Sequence, residues 1–260
     1  MKIIVCIKQV PDTTEVRLDP KTGTLIREGV PSIINPDDKS GLEAALRLKD
    51  EINAEVTVLT MGPPQADAAL REALAMGADH AILLTDRAFA GSDTWATSCT
   101  LAAAIQKLEY DLIIAGRQAI DGDTAQVGPQ IAEHLNLPQV SYVEDLKRDG
   151  DALILKRVFE DGYHLIRVKT PCLITTLKEM NEARYMSVGG VLDAYREKEI
   201  EVWSLKDIEV DHGNLGLTGS PTKVKKSFTK GAKTAGKLYD VDSKEAAKII
   251  IDKLREKYII

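Results

Sequence analysis

The sequence predicts an α/β protein: a three-layer, mostly parallel sheet with an antiparallel hairpin and an extended C-terminal arm. Three observations carry that expectation. Over the first two-thirds of the 260 residues, short apolar runs alternate with segments of helical periodicity. The stretches between runs are long enough to hold a helix, as parallel pairing requires. After Pro138 the alternation gives way to β-prone runs, and beyond about Met186 it thins out. The expected division is an α/β domain over 1–190 and an arm over 191–260.

Ile3 to Ile7 (IIVCI) is a continuous apolar run of the kind found in a buried parallel strand. Residues 17–26 hold Pro20 and Gly23 between two β-prone pieces and predict a small hairpin. Asn35-Pro36-Asp37-Asp38 reads as a helix start, with Asn35 as cap, Pro36 at the first helical position and two acids at the positive end of the dipole. Leu42, Ala45, Leu46 and Ile52 follow on one face, broken by Lys49. Glu55 to Thr60 is the next strand and Met61-Gly62-Pro63-Pro64 the turn out of it. A helix over 65–76 stops at Gly77, a residue suited to the left-handed C-terminal position. The strand Ala81 to Leu84, a helix from Asp93 to Leu108 capped by Asp93, the strand Asp111 to Ala115 and a helix from Thr124 to Leu135 complete the alternation. Ala152 to Phe159 and Tyr163 to Val168 then flank Glu160-Asp161-Gly162, a hairpin with an Asp-Gly turn. Pro171 to Thr176 is a further core strand. Only Ser243 to Tyr258 later recovers helical periodicity, through Ala246, Ala247, Ile250 and Leu254. Such a helix either packs on another chain or folds back on its own domain.

Composition narrows the function. Hydrophobic content of 44% and charged content of 28% fit a globular chain with ample core. A net charge of −6 argues against nucleic acid as the main partner, although Lys223 to Lys237 holds six lysines and no acid. Cys6, Cys99 and Cys172 form no CxxC pair, so neither a disulfide framework nor a zinc site is indicated. MKIIVCIKQV is too quickly polar for a signal peptide, and no apolar run approaches the ~20 residues of a membrane span. A cytoplasmic protein is expected. GxGxxG after the first strand, GxxxxGK[ST], GxSxG and HExxH are all missing, so no self-contained catalytic apparatus is on display.

The chemistry concentrates in Asp111 to Gln130, DLIIAGRQAIDGDTAQVGPQ. Strand, glycine turn and helix start in that order leave unpaired backbone N–H groups where an anion can sit. Open α/β sheets, moreover, bind ligands at the carboxyl ends of their strands. Gly116 allows a sharp turn and close approach of a ligand. Gly122 is expected at positive φ, and Asp123 or Thr124 as helix cap, with the N–H groups of Ala125, Gln126 and Val127 pointing outward. Thr124 adds a hydroxyl, Gln126 an amide and Arg117 a planar cation suited to phosphate. Asp121 and Asp123 oppose a phosphate unless they turn away to cap backbone groups or bind ribose hydroxyls. The residues alone leave open a phosphate site or an ordinary capped helix start.

Five segments carry a resemblance: KQVPDT from Lys8, NPDD from Asn35, ALAMGAD from Ala73, GRQAIDGDTAQVGP from Gly116 and NEARYMS from Asn181. Through them the chain resembles, over nearly its whole length, the β subunit of electron-transfer flavoprotein. The resemblance implies an adenine-nucleotide-hydrolase-like fold. It also implies a heterodimer with an α subunit, which carries a flavin on a mobile domain and is embraced by the arm. Cofactor contacts are implied for Cys6, Asn35, Pro36, Asp37, Asp38 and Met61. They are implied likewise for Gly116, Arg117, Gln118, Ala119, Ile120, Asp121, Gly122, Asp123, Thr124, Ala125, Gln126 and Val127, with no catalytic residue and no metal.

The loop resembles the bifurcating branch of that family. There the nucleotide is a second FAD, which takes electrons from NADH and divides them between a high-potential and a low-potential path. FAD is therefore expected, with a structural AMP as the alternative. Arg117, Thr124 and the small Ala125 supply charge, a donor and room for a pyrophosphate. Asn181 to Leu192 resembles the segment that docks an acyl-CoA dehydrogenase-type flavoenzyme, with Tyr185, Val188, Val191 and Leu192 as docking residues. Ferredoxin or flavodoxin is the implied low-potential acceptor. The following AYREKEIEVW mixes acids with bases where some members have a lysine run, so the particular dehydrogenase is left open. Oxidoreductase activity is expected only of the α/β complex with its dehydrogenase. A stress-protein-like nucleotide sensor on the same fold is the alternative of another class, and the long arm speaks against it.

Overall fold

The computed structural model describes residues 1–12, 31–223 and 236–260. The hairpin expected over 17–26 and most of the Lys223 to Lys237 stretch lie outside the described residues. The chain divides into two compact units, Met1–Lys225 and Lys226–Ile260.

The first unit is built on a nine-stranded sheet. Its strands are β1 (Lys2–Cys6), β4 (Glu55–Met61), β5 (His80–Leu84), β6 (Leu112–Gly116), β7 (Gln139–Asp149), β8 (Ala152–Phe159), β9 (Gly162–Lys169), β10 (Cys172–Thr176) and β11 (Ile200–Trp203). They run in the order β11-β5-β4-β1-β6-β10-β7-β8-β9. All neighbours pair in parallel except β7–β8 and β8–β9. A separate two-stranded piece joins β2 (Gln9–Pro11) to β3 (Ser32–Ile34). The helices of this unit are α1 (Pro36–Ile52), α2 (Asp67–Met76), α3 (Thr94–Ile105), α4 (Val127–His134), α5 (Val188–Arg196) and the short α6 (Gly216–Gly219).

Alternation along the strands explains the three layers. Ile3, Val5 and Ile7 point into one apolar core with Leu42 and Leu46 of α1, Leu70 and Leu74 of α2 and Ala194 of α5. Ile4 and Cys6 point the other way, to Leu101 and Ile105 of α3 and Ile131 of α4. Successive side chains of a strand face opposite sides, so a run apolar throughout needs a helical layer on each face.

Three expectations change. The Asp-Gly turn is in fact a Glu160-Asp161 turn, because Gly162 already pairs with Phe159 as the first residue of β9. Residues 139–149, which show no clear apolar pattern, form the eleven-residue β7. The boundary expected after residue 190 falls inside α5, and β11 extends the sheet beside β5, so residues 191–223 go with the first unit.

In the second unit α7 (Ser243–Glu256) is capped by Asp242, whose carboxylate accepts from the N–H groups of Lys244 and Glu245. None of its residues is buried, and Ile250 and Ile251 are exposed. Among the described residues no helix is long and apolar enough to cross a membrane.

Candidate functional site

The sheet order defines a crevice. From β1 the chain passes through α1 to β4 on one side, and from β5 through α3 to β6 on the other. Between β1 and β6 the connections diverge, which is where open α/β sheets admit ligands at the strand carboxyl ends. Cys6 ends β1, Met61 ends β4 and Gly116 ends β6, and the first turn of α1 bridges the ends of β1 and β6.

That turn is the mechanical centre of the site. Asp38 inserts its carboxylate between the strand ends: Oδ2 accepts from the Lys8 N–H at 2.7 Å and Oδ1 from the Gly116 N–H at 3.0 Å. A Cβ on Gly116 would stand 2.0 Å from Asp38 Oδ1, so the glycine makes room for this carboxylate rather than for a ligand. Burial pushes the Asp38 carboxyl up to about 7, against the opposing bonds from Asn35, Lys8 and Gly116. Asn35 occupies the cap position, yet its side chain caps nothing. Its amide Nδ2 donates to Gln118 O at 2.8 Å, and its Oδ1 accepts from the Ile120 N–H at 3.1 Å. Fully buried, it clamps the 116–127 loop from behind. Asp37 faces Arg117, with Oδ2 3.3 Å from Nε. The Cys6 thiol is pushed up to about 12, by burial first and Asp38 second, which makes it inert as a nucleophile.

The loop differs from its expected form. α4 begins at Val127, not Thr124, and Gln126 rather than Asp123 or Thr124 holds the cap position, without a side-chain bond. Positive φ falls on Asp123 (48°) and Ala125 (53°), not on Gly122. Positive φ at Ala125 followed by right-handed Gln126 is the alternation of hand found in backbone anion-binding concavities. Among the described residues, the N–H groups of Thr124, Ala125 and Gln126 find no backbone acceptor. A non-glycine residue in this conformation costs of order 1–3 kcal/mol, a cost that clusters at ligand sites. The two aspartates do turn away: Asp121 pairs with Lys8 Nζ at 2.7 Å, and Asp123 accepts from Gln118 Nε2 at 2.9 Å. Gln126 accepts from the Thr94 hydroxyl at the start of α3 at 2.8 Å.

Beside the crevice lies a cavity of about 120 Å³ lined by Lys8, Gln9, Thr60, Met61, Gly62, Pro63 and Ala66. A larger one, about 220 Å³, opens at the opposite strand ends among Lys2, Glu55, His80, Glu109 and Glu201. There Lys2 is paired with Glu109 and the His80 ring is hydrogen-bonded to Glu55, and the cavity sits away from the crevice. The smaller cavity is the better candidate because it adjoins the loop through Lys8. Among the described residues no cluster of His, Cys, Asp and Glu is placed to hold a metal.

A second surface hangs on the same helix. Ser40 Oγ accepts from the Asn181 N–H at 3.0 Å. Arg184 donates to Glu43 through Nε at 2.9 Å and Nη2 at 3.1 Å, and to Asp50 at 2.7 Å. Beyond this clamp, Ser187 caps α5 by accepting from the Gly190 N–H at 2.9 Å. Gly190 lies so close to α2 that a Cβ would stand 2.4 Å from Ala75 O. Tyr185 and Val188 are left 95% and 81% exposed, with Met186, Leu192 and Tyr195 exposed beside them. Val191 instead turns toward the core, so of the four expected docking residues it alone packs inward.

Sequence reasoning missed Lys8 as a partner of Asp121, the Glu43–Arg184 clamp, and Tyr142, whose ring lies 6.0 Å from the Arg117 guanidinium. All three depend on contacts between distant segments. Only Lys8, at the end of a predicted strand, carried a sequence signal.

The fold and crevice define an open, doubly wound α/β protein with a backbone-lined loop at its switch point. The family model of the electron transfer flavoprotein domain matches residues 22–208, and the chain belongs to the electron transfer flavoprotein family, among its β subunits. It is 63% identical over 260 residues, all of both chains, to electron transfer flavoprotein subunit beta of Clostridium acetobutylicum. It is 58% identical over 263 aligned positions, again covering both chains, to the caffeyl-CoA reductase-Etf complex subunit CarD of Acetobacterium woodii. The acryloyl-CoA reductase electron transfer subunit gamma of Anaerotignum propionicum is 50% identical over 270 positions at full coverage of both.

Proposed function

We propose that this chain is the nucleotide-binding β subunit of a bifurcating electron-transfer flavoprotein, holding FAD at the 116–127 loop and passing electrons only within a complex. In this reading the complex is cytoplasmic, takes electrons from NADH, and includes an α subunit with a second flavin. It delivers electrons to an acyl-CoA dehydrogenase-type flavoenzyme and to ferredoxin or flavodoxin. The observation that carries the reading is the loop backbone: two left-handed non-glycine residues and three N–H groups without a backbone acceptor, held from behind by Asn35 and Asp38. Thr124 and those N–H groups suit a pyrophosphate, and the cavity beside Met61 lies next to them at the strand ends. FAD supplies the redox chemistry when bound, and the chain's residues supply position and charge. Two relatives named as parts of acyl-CoA reductase systems support a flavoenzyme partner of that kind. Tyr185, Val188 and Leu192 form the proposed docking face, and α7 with its exposed isoleucines the proposed contact to the α subunit.

One observation favours a structural AMP instead. Arg117 and Lys8 already face Asp37 and Asp121, which leaves less positive charge for a second phosphate. Arg117→Ala discriminates a working phosphate contact from a purely internal pair. In the heterodimer it is expected to weaken nucleotide retention by about tenfold or more, the value of one charge-assisted hydrogen bond, while the α-subunit flavin stays in place. Unchanged stoichiometry on gel filtration would remove Arg117 from the site.

A further inference from the structure

α1 touches both surfaces described above, and one of its side chains reaches both at once. We propose that Asp37 is a positioning residue through which occupancy of the 116–127 loop sets the placement of residues 178–187, which lead into the docking face at Tyr185 and Val188. The proposal rests on the reading of that loop as a phosphate site and deepens it. Asp37 Oδ1 accepts from the Lys178 N–H at 3.0 Å, and Oδ2 faces Arg117 Nε at 3.3 Å. Lys178 opens the segment, and Ser40 and Glu43 then hold Asn181 and Arg184 further along α1. Of these three α1 side chains only Asp37 also reaches the loop.

The loop half of this link is incompletely made. Asp37 Oδ2 and Arg117 Nε are both buried, and neither finds a hydrogen-bond partner among the described residues. The charges are close but the N–H is not aimed, so the guanidinium keeps donor capacity for an anion. A phosphate beside Arg117 shares the positive charge that now compensates Asp37. Burial already holds the Asp37 carboxyl above the ordinary carboxylate range, with Arg117 the largest opposing influence. Drawing that cation away leaves the carboxylate more dependent on its remaining donor, the N–H of Lys178. Occupancy of the loop therefore tightens the anchor of residues 178–187.

α1 itself cannot carry the signal by sliding. A Cβ on Gly41 would stand 2.6 Å from Thr176 Oγ1 and 2.8 Å from Ile114 Cγ2, so the helix is packed on β6 and β10 without slack. The shared carboxylate is the adjustable part. Coupling of this kind is reciprocal: what strengthens the Lys178 anchor also favours the ligand.

The test uses the full chain with its α subunit, depleted of bound nucleotide, and ADP or FAD as probe. Calorimetry reads binding, and amide hydrogen exchange reads residues 177–187 separately. In the wild type, saturation with probe is expected to slow exchange of the Lys178 amide by about fivefold, the low end of measured couplings. Asp37→Asn keeps an oxygen for Lys178 but removes the charge; read at saturating probe, with its altered affinity allowed for, it is expected to lose the response. Ser40→Ala removes only the Asn181 bond, so it raises exchange over 181–187 and leaves the Lys178 response intact, as a merely structural contact should. Absence of binding by the wild type overturns the nucleotide reading itself. Binding without a response in the wild type, or an undiminished response in Asp37→Asn, overturns the coupling alone. Should Asp37→Asn not fold, Arg117→Gln at saturating probe takes its place, and a retained response there overturns the coupling equally.

Discussion

Asp38→Ala is expected to unfold the first unit more readily than any other single change near the crevice. Two backbone N–H groups, those of Lys8 and Gly116, lose the carboxylate that accepts from them where β1 and β6 diverge. Each buried donor left unpaired costs about 1–3 kcal/mol, so the pair costs about 2–6 kcal/mol. Solvent cannot repair this cheaply, because Asp38 is buried and Gly116 has its Cβ space filled by the same carboxylate. The pH dependence gives a second signature, opposite in sign to that of an ordinary surface aspartate. With its carboxyl held near 7 in the folded state, Asp38 keeps a proton that the unfolded chain releases near 4. Between those values the folded state binds more protons. Stability from this group is therefore full below about pH 4, falls as pH rises toward 7, and levels off above it, by of the order of 4 kcal/mol. Asp38→Asn removes the titration, so its denaturation midpoint is expected to lose this slope between pH 4 and 7. Chemical denaturation of both proteins across that range measures it, and a stability difference between wild type and Asp38→Asn that does not change over the window contradicts the assignment.

Arg184→Ala is expected to have the second-largest effect, on stability and on docking together. It removes a two-pronged partner from Glu43, whose side chain is only 5% exposed. Breaking a buried pair costs about 3–5 kcal/mol. The low end, about 3 kcal/mol, applies because Arg184 is itself a third exposed and Arg47 still reaches Glu43 at 3.2 Å. Burial alone would raise the Glu43 carboxyl, but the Arg184 bonds outweigh it and hold it below the ordinary glutamate range. The pair's stabilisation is thus present above about pH 4.3 and lost as pH falls through the lower folded value. The gap between wild type and variant is expected to close in acid. Because Arg184 fixes the backbone just before Tyr185, affinity for the flavoenzyme partner is expected to fall with it, and Arg184→Lys, which lacks the fork, to restore only part. Full affinity in a variant that has lost its stability would separate the clamp from docking.

Much of the fold was legible because burial on both faces writes strands as unbroken apolar runs. Ile3 to Ile7 and Leu112 to Ala115 needed no tertiary information. β7 was not legible. Its buried positions, Val140 and Val143, are out of step because Tyr142 sits at φ 60° beside a register shift against β10. The loop was legible by residue type and not by conformation. Gly122 was the natural candidate for positive φ, yet Asp123 and Ala125 take it, a choice that local propensity opposes and only the packed loop enforces. Asn35 shows the same limit. Its type and position announce a helix cap, but its amide is spent on Gln118 and Ile120, more than eighty residues away. Asp38 likewise reads as a dipole partner and proves to be a bridge between strands. Long-range polar contacts leave no period in the sequence, and they are what build this site.

The central claim is that the 116–127 loop, braced by Asn35 and Asp38, holds a second flavin. Co-purifying the chain with its α subunit and counting nucleotides released from the heterodimer tests it most directly. Two FAD and no AMP per heterodimer are expected, with one of the two FAD lost preferentially in Arg117→Ala. One FAD accompanied by one AMP would contradict it.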